Sequence, residues 1–368
     1  MSRVFFHVQH LLGIGHIRRA AVLARTLAAS GFDVLLVSGG APLKLDLGGA
    51  RFHQLPPVRA RDEGLRELSR LDGTPIDEAF KAERTRALLE LFRAEQPDVL
   101  MTEQFPFGRT QLRFELLPLL QAARERQPKP LIVSSVRDVV RRSVSPQRVQ
   151  ETLELLRSFD TVLIHGDPKV IGFERSFAAW EAIRDRAAYT GYVADDLTPT
   201  EGTAGQGEVI VSVGGGAVGA PLIEAAASAR AKTALASHPW RLLGGAGESR
   251  TVNGLTVEPA RSDFPTLLRN ATLSISQAGY NTVVETLACA DRAVLVPFGT
   301  ARETEQTDRA TWLAERGLVT CLPAETLAPD TLASAVDRAL QGPSIRSFPP
   351  CDLNGAAATA VLLHQRLA

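Results

Sequence analysis

Three glycine-bearing turns hold the residues best suited to chemistry. The first is Gly13-Ile14-Gly15-His16, which follows the apolar run Val4–Val8. The second is Gly214-Gly215-Gly216-Ala217-Val218-Gly219, after Val209–Val213. The third reads Ser276-Gln277-Ala278-Gly279-Tyr280-Asn281-Thr282-Val283-Val284-Glu285, followed by Ala293–Pro297 and then Glu305-Gln306. A small-residue turn between strand and helix leaves backbone N–H groups at the helix start. There, roughly half a positive charge and unpaired donors attract phosphate. A carboxylate within the first two helical turns, as at Glu285, would sit beside whatever the phosphate carries. The third stretch therefore suggests a nucleotide diphosphate site with a ribose contact. In the first turn, a histidine at a helix start has a depressed pKa, so its neutral imidazole can accept a proton.

Each turn also has a plainer reading. His16 fits an ordinary N-terminal helix histidine bonded to backbone. A dinucleotide fingerprint would want a third glycine where Arg18 stands and an acid closing the second strand, which instead ends Val37-Ser38-Gly39-Gly40. Gly214, Gly216 and Gly219 match the fingerprint formally, but again no acid follows near Leu235-Ala236-Ser237-His238. Close backbone approach to a phosphate fits that turn as well as a tight strand–helix connection does. Thr282-x-x-Glu285 fits a capping box, with Glu285 folded back on its own helix. Glu305-Gln306 fits a solvated helix start. Glu103, after the apolar Val99–Met101, is a second candidate general base or a solvated loop acid. What favours function is that all three turns follow a strand, at the sheet edge where open α/β folds bind ligands.

The remaining polar features carry less. His7 and His10 lack a third ligand, and no Asp-x-Asp pair is present, so no metal site and no cofactor are expected. Phe105, Phe107, Arg109, Arg113 and Phe114 interleave aromatics with cations, as an acceptor or membrane-surface patch would, or as core aromatics with solvated arginines would. Arg137, Arg141, Arg142 and Arg148 form a local basic cluster that either meets an anionic acceptor or is a surface face.

Short apolar runs alternate with amphipathic segments throughout. Strands are expected at Val4–Val8, Val34–Val37, Val99–Met101, Leu131–Ser134 and Thr161–Ile164, then at Val209–Val213, Thr233–Ala236, Leu255–Val257, Leu273–Ile275 and Ala293–Val296. Helices are expected at Ile17–Ala29, Glu78–Ala94, Gln111–Arg124, Gln147–Arg157, Pro221–Ser228, Thr282–Cys289 and Gln306–Arg316. This alternation predicts an α/β protein with parallel sheets covered on both faces. Residues 195–207 are rich in Thr, Gly and Asp and lack periodicity. The expected organisation is thus an N-terminal domain over 1–194, a linker over 195–207, a second domain over 208–350, and a C-terminal helix over 351–368 packing back on the first. Two doubly wound, Rossmann-like domains would face each other across a cleft.

The chain has 368 residues, too many for a typical single domain. Its 41 basic and 41 acidic residues balance, which gives no electrostatic reason to expect nucleic acid as a partner. The three cysteines have no C-x-x-C spacing and read as thiols in a reducing compartment. No apolar run approaches the roughly 20 residues of a membrane span, and no signal-peptide pattern precedes the first strand. The expectation is a cytoplasmic protein, free or held peripherally at the inner face of the membrane.

Taken in order, the G-x-G-H turn, the Ser-x-Gly-Gly-Gly turn and the S-x-A-G-x-N-T-x-x-E…P…E-Q block resemble the family 28 glycosyltransferases of GT-B fold. That family includes the transferase completing the peptidoglycan lipid precursor and the galactolipid synthases. Val8–His16 further resembles a bacterial subgroup of predicted glycosyltransferases. The resemblance implies that Gly13 and Gly15 line the acceptor side, with His16 near the reacting centre, and that Gly215 and Gly216 approach the donor diphosphate. It implies that Gln277, Ala278, Gly279, Asn281 and Thr282 form the anion-binding helix start. Glu285 would bind the ribose, and Glu305 and Gln306 the donor sugar. The implied reaction is inverting, metal-independent hexosyl transfer from a nucleotide sugar, usually a UDP-sugar, with His16 or Glu103 as base. The acceptor is not inherited, because the first turn is less glycine-rich than in the peptidoglycan enzyme; lipid-linked molecules and small metabolites both stay open. A UDP-sugar 2-epimerase or hydrolase, a non-catalytic sugar-nucleotide sensor and, more distantly, a dehydrogenase are the competing readings.

Overall fold

The computed structural model describes residues 1–368 except 12, 62–66, 143–144, 215–218, 245–248 and 300–303. It contains two compact units: Met1–Val193 with Asp352–Ala368, and Ala194–Cys351.

Unit 1 is built on seven strands: β1 (Arg3–Val8), β2 (Asp33–Ser38), β3 (Arg51–Gln54), β6 (Val99–Glu103), β7 (Leu131–Arg137), β8 (Thr161–His165) and β9 (Ala187–Tyr189), with a small separate hairpin of β4 (Arg59–Ala60) and β5 (Leu68–Ser69). The strand order is β3-β2-β1-β6-β7-β8-β9, all parallel. The chain winds outward from β1 in one direction, then returns to β6 and winds outward in the other. Alternation along β1 decides what each face buries. Val4, Phe6 and Val8 pack with α1 (Gly15–Ala29), whereas Phe5 faces the side of α2 (Glu78–Glu95) and α3 (Arg113–Glu125) and meets Phe92 edge to face at 5.5 Å. Each such fully buried side chain contributes about 1.5–3 kcal/mol of transfer free energy. The remaining crossover helix of this part is α4 (Pro146–Leu156).

Unit 2 repeats the plan. Its strands β10 (Val209–Ser212), β11 (Trp240–Leu243), β12 (Arg250–Val252), β13 (Leu255–Glu258), β14 (Leu273–Ser276), β15 (Ala293–Leu295) and β16 (Thr320–Cys321) run in the order β12-β13-β11-β10-β14-β15-β16. All pairs are parallel except the β12–β13 hairpin. That hairpin turns through Asn253 and Gly254, both at positive φ (45° and 76°), as a two-residue turn matched to strand twist requires. Its helices are α5 (Ala220–Ala229), α6 (Phe264–Asn270), α7 (Tyr280–Cys289), α8 (Glu305–Glu315) and α9 (Pro329–Gln341).

Residues 195–207 have no regular structure and are held by unit 2. The Thr200 amide donates to Thr266 Oγ1 at 2.9 Å, and the Asn270 side chain donates to the carbonyls of Gly202 and Ala204 at 3.0 and 2.9 Å. The last helix, α10 (Gly355–Leu367), belongs to unit 1. Ala360 and Leu363 join the cluster around β1 and α1, and the His364 ring stacks on Phe32 with centroids 4.2 Å apart. Gly355 must be glycine, because an added Cβ would lie 2.4 Å from the Gly191 carbonyl oxygen.

One expected strand is corrected. Thr233–Ala236 is a turn, and the strand beside β10 is Trp240–Leu243. Thr-Ala-Leu-Ala has little side-chain surface to pack on a pleat, while Trp240 and Leu242 fill the sheet and the Trp240 indole ties the turn by donating to the Leu235 carbonyl at 3.1 Å. The edge strands β3, β12 and β16 and the β4–β5 hairpin carry too short a pattern to be read from sequence.

Candidate active site

In each unit the winding direction reverses at a point where two neighbouring strands send their connections apart, and ligands of open α/β sheets bind there. In unit 1 this point lies between β1 and β6. The turn after β1 delivers His16, and the last residue of β6 is Glu103. Two residues 87 positions apart in sequence thus meet: His16 Nδ1 lies 2.7 Å from Glu103 Oε1. Arg19, one turn along α1 from His16, donates to the same oxygen at 2.6 Å, and Arg109 Nη2 stands 3.7 Å from the other.

Glu103 is fully buried, and burial alone would raise its pKa. The hydrogen bond from His16 and the guanidinium groups of Arg19 and Arg109 outweigh burial, so the carboxyl is held well below its usual range and stays ionised. An ionised carboxylate only accepts hydrogen bonds, so His16 Nδ1 carries the proton and Nε2 carries the lone pair. His16 itself is pushed down to about 3, first by burial and then by the positive charges of Arg137 and Arg109, against the opposing pull of Glu103. A neutral imidazole with fixed tautomer is the form a proton acceptor needs. The two candidate bases are therefore one assembly, in which Glu103, committed to His16 and Arg19, orients the ring. Gly13 and Gly15 are half-buried in the turn leading into α1, and an added Cβ on Gly13 would meet nothing within 4 Å.

The loop after β6 is unusual. Gln104 and Arg109, neither of them glycine, sit at φ of 63° and 60°. The Gln104 side chain accepts from the Arg137 amide at 3.3 Å, which joins the ends of β6 and β7 beside the histidine. Deeper in the same sheet, His165 is held between the hydroxyls of Ser135 and Thr190, each at 2.8 Å. All three are buried, and the third partner is a hydroxyl rather than a carboxylate, so this trio is a structural link and not a nucleophile. His7 pairs with Glu115 at 3.4 Å, apart from His10, and no group of three or more His, Cys, Asp or Glu among the described residues is arranged for a metal ion. Phe105 is buried and Phe107 packs edge to face on Phe173 and Phe177, so these aromatics serve the core rather than an exposed patch. Of the basic cluster, Arg137 is buried beside His16, whereas Arg141, Arg142 and Arg148 are exposed.

In unit 2 the reversal lies between β10 and β14. Gly214 leaves β10 at φ 63°, and the next two candidate residues, Gly215 and Gly216, lie outside the described residues. After β14, Gln277 and Ala278 lead to Gly279, which caps α7 without a side-chain hydrogen bond. Helix α7 starts at Tyr280, so Asn281 and Thr282 belong to its first turn and Glu285 to its second. The capping-box reading is thereby corrected: Thr282 is the third residue of the helix and not its cap, and Glu285 lies too far along to fold back on the first amide. Glu285 is half-buried. The start of α7 faces along its axis with the positive end of the helix dipole.

Arg309 secures this turn and escaped the sequence reading. It is fully buried, donates to the Ala278 carbonyl at 3.0 Å and to Glu305 Oε1 at 2.9 Å, and lies over the Tyr280 ring at 5.8 Å. By engaging the Ala278 carbonyl, it fixes the peptide that precedes the helix start. Gln306 accepts from the Phe298 amide at 3.1 Å, so Glu305 and Gln306 both sit at the exit of β15. The spacing Glu305–Arg309, four residues on one helix, was the signal available for Arg309, whereas Arg19 bonds Glu103, 84 positions away, and left no local signal.

Residues 210–348 match the glycosyltransferase family 28 C-terminal domain. The C-terminal unit belongs to that family. Curated relatives are the UDP-N-acetylglucosamine–N-acetylmuramyl-(pentapeptide) pyrophosphoryl-undecaprenol N-acetylglucosamine transferases of Syntrophotalea carbinolica, 33% identical over 86 residues, and Rhodospirillum rubrum, 37% identical over 84. These alignments take in 23% of this chain and only 24% and 22% of the relatives' own lengths. Among solved structures, MurG of Acinetobacter baumannii superposes with a TM-score of 0.61 at 17% identity, covering 99% of this chain and 100% of that one. The calicheamicin glycosyltransferase CalG4 gives 0.60 at 18%, covering 100% and 94%. The spinosyn rhamnosyltransferase SpnG complexed with thymidine diphosphate also gives 0.60 at 18%, covering 100% and 96%. The fold of the family 28 unit and its partner is therefore GT-B, with two Rossmann-like domains.

Proposed function

We propose that this protein is an inverting glycosyltransferase that moves a hexose or N-acetylhexosamine from a nucleotide diphosphate sugar, a UDP-sugar by family resemblance, to an acceptor hydroxyl. The observation that carries the reading is the His16–Glu103 pair at 2.7 Å, with its neutral ring and fixed tautomer. In this reaction the acceptor oxygen attacks the anomeric carbon from the face opposite the diphosphate. The carbon–oxygen bond to the diphosphate breaks with its electron pair, the nucleoside diphosphate departs, and the acceptor proton passes to His16 Nε2.

Unit 2 supplies the donor contacts in this reading. The start of α7, at Gln277, Ala278, Gly279, Asn281 and Thr282, meets the growing negative charge of the departing diphosphate, with Gly215 and Gly216 assigned to the same group by resemblance. Glu285 accepts from the ribose hydroxyls, and Glu305 and Gln306 meet the sugar. Preorganised dipoles of this kind stabilise a leaving group electrostatically, so the reaction as proposed runs without a metal ion. Support comes from the family match over unit 2 and from the thymidine diphosphate bound by the structural neighbour SpnG. No described helix is long and apolar enough to cross a membrane, and we assign the reaction to the cytoplasmic side, with peripheral contact where the acceptor is lipid-linked.

The test begins with thermal shift of the full chain against UDP, TDP, GDP and ADP and their sugars, followed by incubation with the sugar that binds. Stabilisation by a nucleoside diphosphate and acceptor-dependent release of it support the transferase. Epimer or free sugar formed rapidly without acceptor would make the chain an epimerase or hydrolase. Tight donor binding with no turnover would make it a sensor, and NAD(H) binding in its place a dehydrogenase.

A further inference from the structure

Unit 1 contains a cavity of about 510 Å³ that the proton-transfer pair does not use. Its apolar wall is Leu11, Ile14, Ala41, Leu43 and Ala60, and its polar lining includes His10, Ser69, Arg59 and Arg61. The β4–β5 hairpin forms one side and is tied to the turn after β1 by the Ala60 amide, which donates to the Leu11 carbonyl at 3.2 Å. Ile14 caps α1 two residues before His16, so the cavity adjoins the proposed base.

Two buried polar side chains in this lining lack partners. His10 is 5% exposed and Ser69 is 0% exposed, yet neither ring nitrogen of His10, nor Ser69 Oγ, meets a hydrogen-bond partner among the described residues. The Ala41 backbone lies near the imidazole without reaching hydrogen-bond geometry. Packing fixes the ring where it is, since a Cβ on Gly40 would lie 2.3 Å from it. Buried polar atoms are almost always paired, so two orphans lining one cavity mark the place of an absent partner. At the exposed rim, Arg61 is engaged with Glu67 at 3.2 Å, but Arg59 has no ion-pair partner among the described residues. The cavity thus offers an apolar wall, the neutral hydrogen-bonding groups of His10 and Ser69 and, in Arg59, a cation with no ion pair among the described residues. Its volume is in the range of small-molecule sites.

We propose that this cavity is the acceptor subsite and that the acceptor is a small amphipathic hydroxy acid, its apolar body against Leu11, Ile14 and Leu43, its polar substituents on His10 and Ser69, and its carboxylate or phosphate on Arg59. The assignment of the bound molecule as acceptor rests on the glycosyltransferase reading. The binding site itself does not.

Calorimetry on the full chain tests it with 4-hydroxyphenylacetate, 10-hydroxydecanoate and 4-hydroxyphenyl phosphate, set against the methyl esters of the first two and hydroquinone. At least one acid should bind about tenfold or more tightly than its uncharged counterpart, the scale of one charge-assisted contact. Preference for the phosphate or for the carboxylates then tells which acid is native. Arg59→Gln should remove that preference without changing the melting temperature, and Ser69→Ala should weaken every ligand several-fold. If no acid binds, or if Arg59→Gln leaves the preference intact, the subsite is wrong. UDP titrated into the same protein separates the two readings. Acids failing while UDP binds sinks the subsite alone. Acids binding while no nucleoside diphosphate does sinks the transferase and leaves the subsite as a binding site. An acid that binds but yields no glycoside with a donor that also binds overturns the acceptor role.

Discussion

Apart from the antiparallel edge strand β12 of unit 2, the two units wind their sheets in the same order, and both concentrate their polar groups where that order reverses, yet the two reversal points are made of opposite materials. In unit 1 the point is a buried charge cluster, with Glu103 gathering His16 and Arg19 on one oxygen. In unit 2 it is a turn of small residues opening into α7, with the buried Arg309 turned inward to the Ala278 carbonyl and Glu305. A charge cluster fixes a protonation state. A helix start offers backbone dipoles to an anion, and α7 holds no acidic side chain in its first turn. The same topology therefore suits one unit to proton transfer and the other to diphosphate binding.

The sharpest way to break this comparison is His16→Ala. It should lower turnover about 10²–10⁴-fold, the usual contribution of a positioned base, while the donor dissociation constant changes less than about twofold. Single-turnover rates and UDP titration read the two quantities separately. A matched loss of donor affinity would mean that the division of labour is wrong. Next in size is Glu103→Ala, which removes the buried carboxylate that Arg19 and His16 share and should cost about 3–5 kcal/mol in urea unfolding of unit 1. In contrast, Glu285→Ala in unit 2 should leave the melting temperature unchanged within error and weaken donor binding about tenfold, as loss of a carboxylate–hydroxyl contact would. If the melting temperature fell and donor affinity held, Glu285 would be a structural helix residue after all.

How far the sequence disclosed all this depends on range. Strands buried on both faces, such as β1 and β10, announce themselves as apolar runs, and the turns that follow them are marked by glycine. These are local signals. Thr233–Ala236 misled because a small apolar run resembles a strand until Trp240, with far more surface to bury, takes the place beside β10. The His16–Glu103 contact joins residues 87 positions apart. Each could be named as a candidate, but that they act on one another follows only from the adjacency of β1 and β6. The His10–Ser69 cavity was invisible for the same reason, since it depends on a hairpin of two-residue strands docking beside the first turn.

The subtlest test concerns the charge that tunes the base. His16 is held at about 3 by burial first and then by Arg137, with Arg109 adding less. Only the neutral ring accepts a proton, and the ring is neutral above its pKa. The proposed kcat/KM should therefore be flat through neutral pH and fall only in the acid range, as pH approaches the His16 pKa from above. Removing a positive neighbour stabilises the imidazolium and raises that pKa, so Arg137→Gln should move the acid limb to higher pH, by about one unit for a nearby charge. Arg19 and Arg109, the cations that hold Glu103 ionised, stay in place in this variant, so the shift should come with the carboxylate still charged. A pH–rate profile of the variant, with donor affinity measured alongside, separates the cases. An acid limb that stayed in place would mean that His16 is not the titrating base, whereas a shifted limb with unchanged UDP binding would tie proton transfer to unit 1 alone.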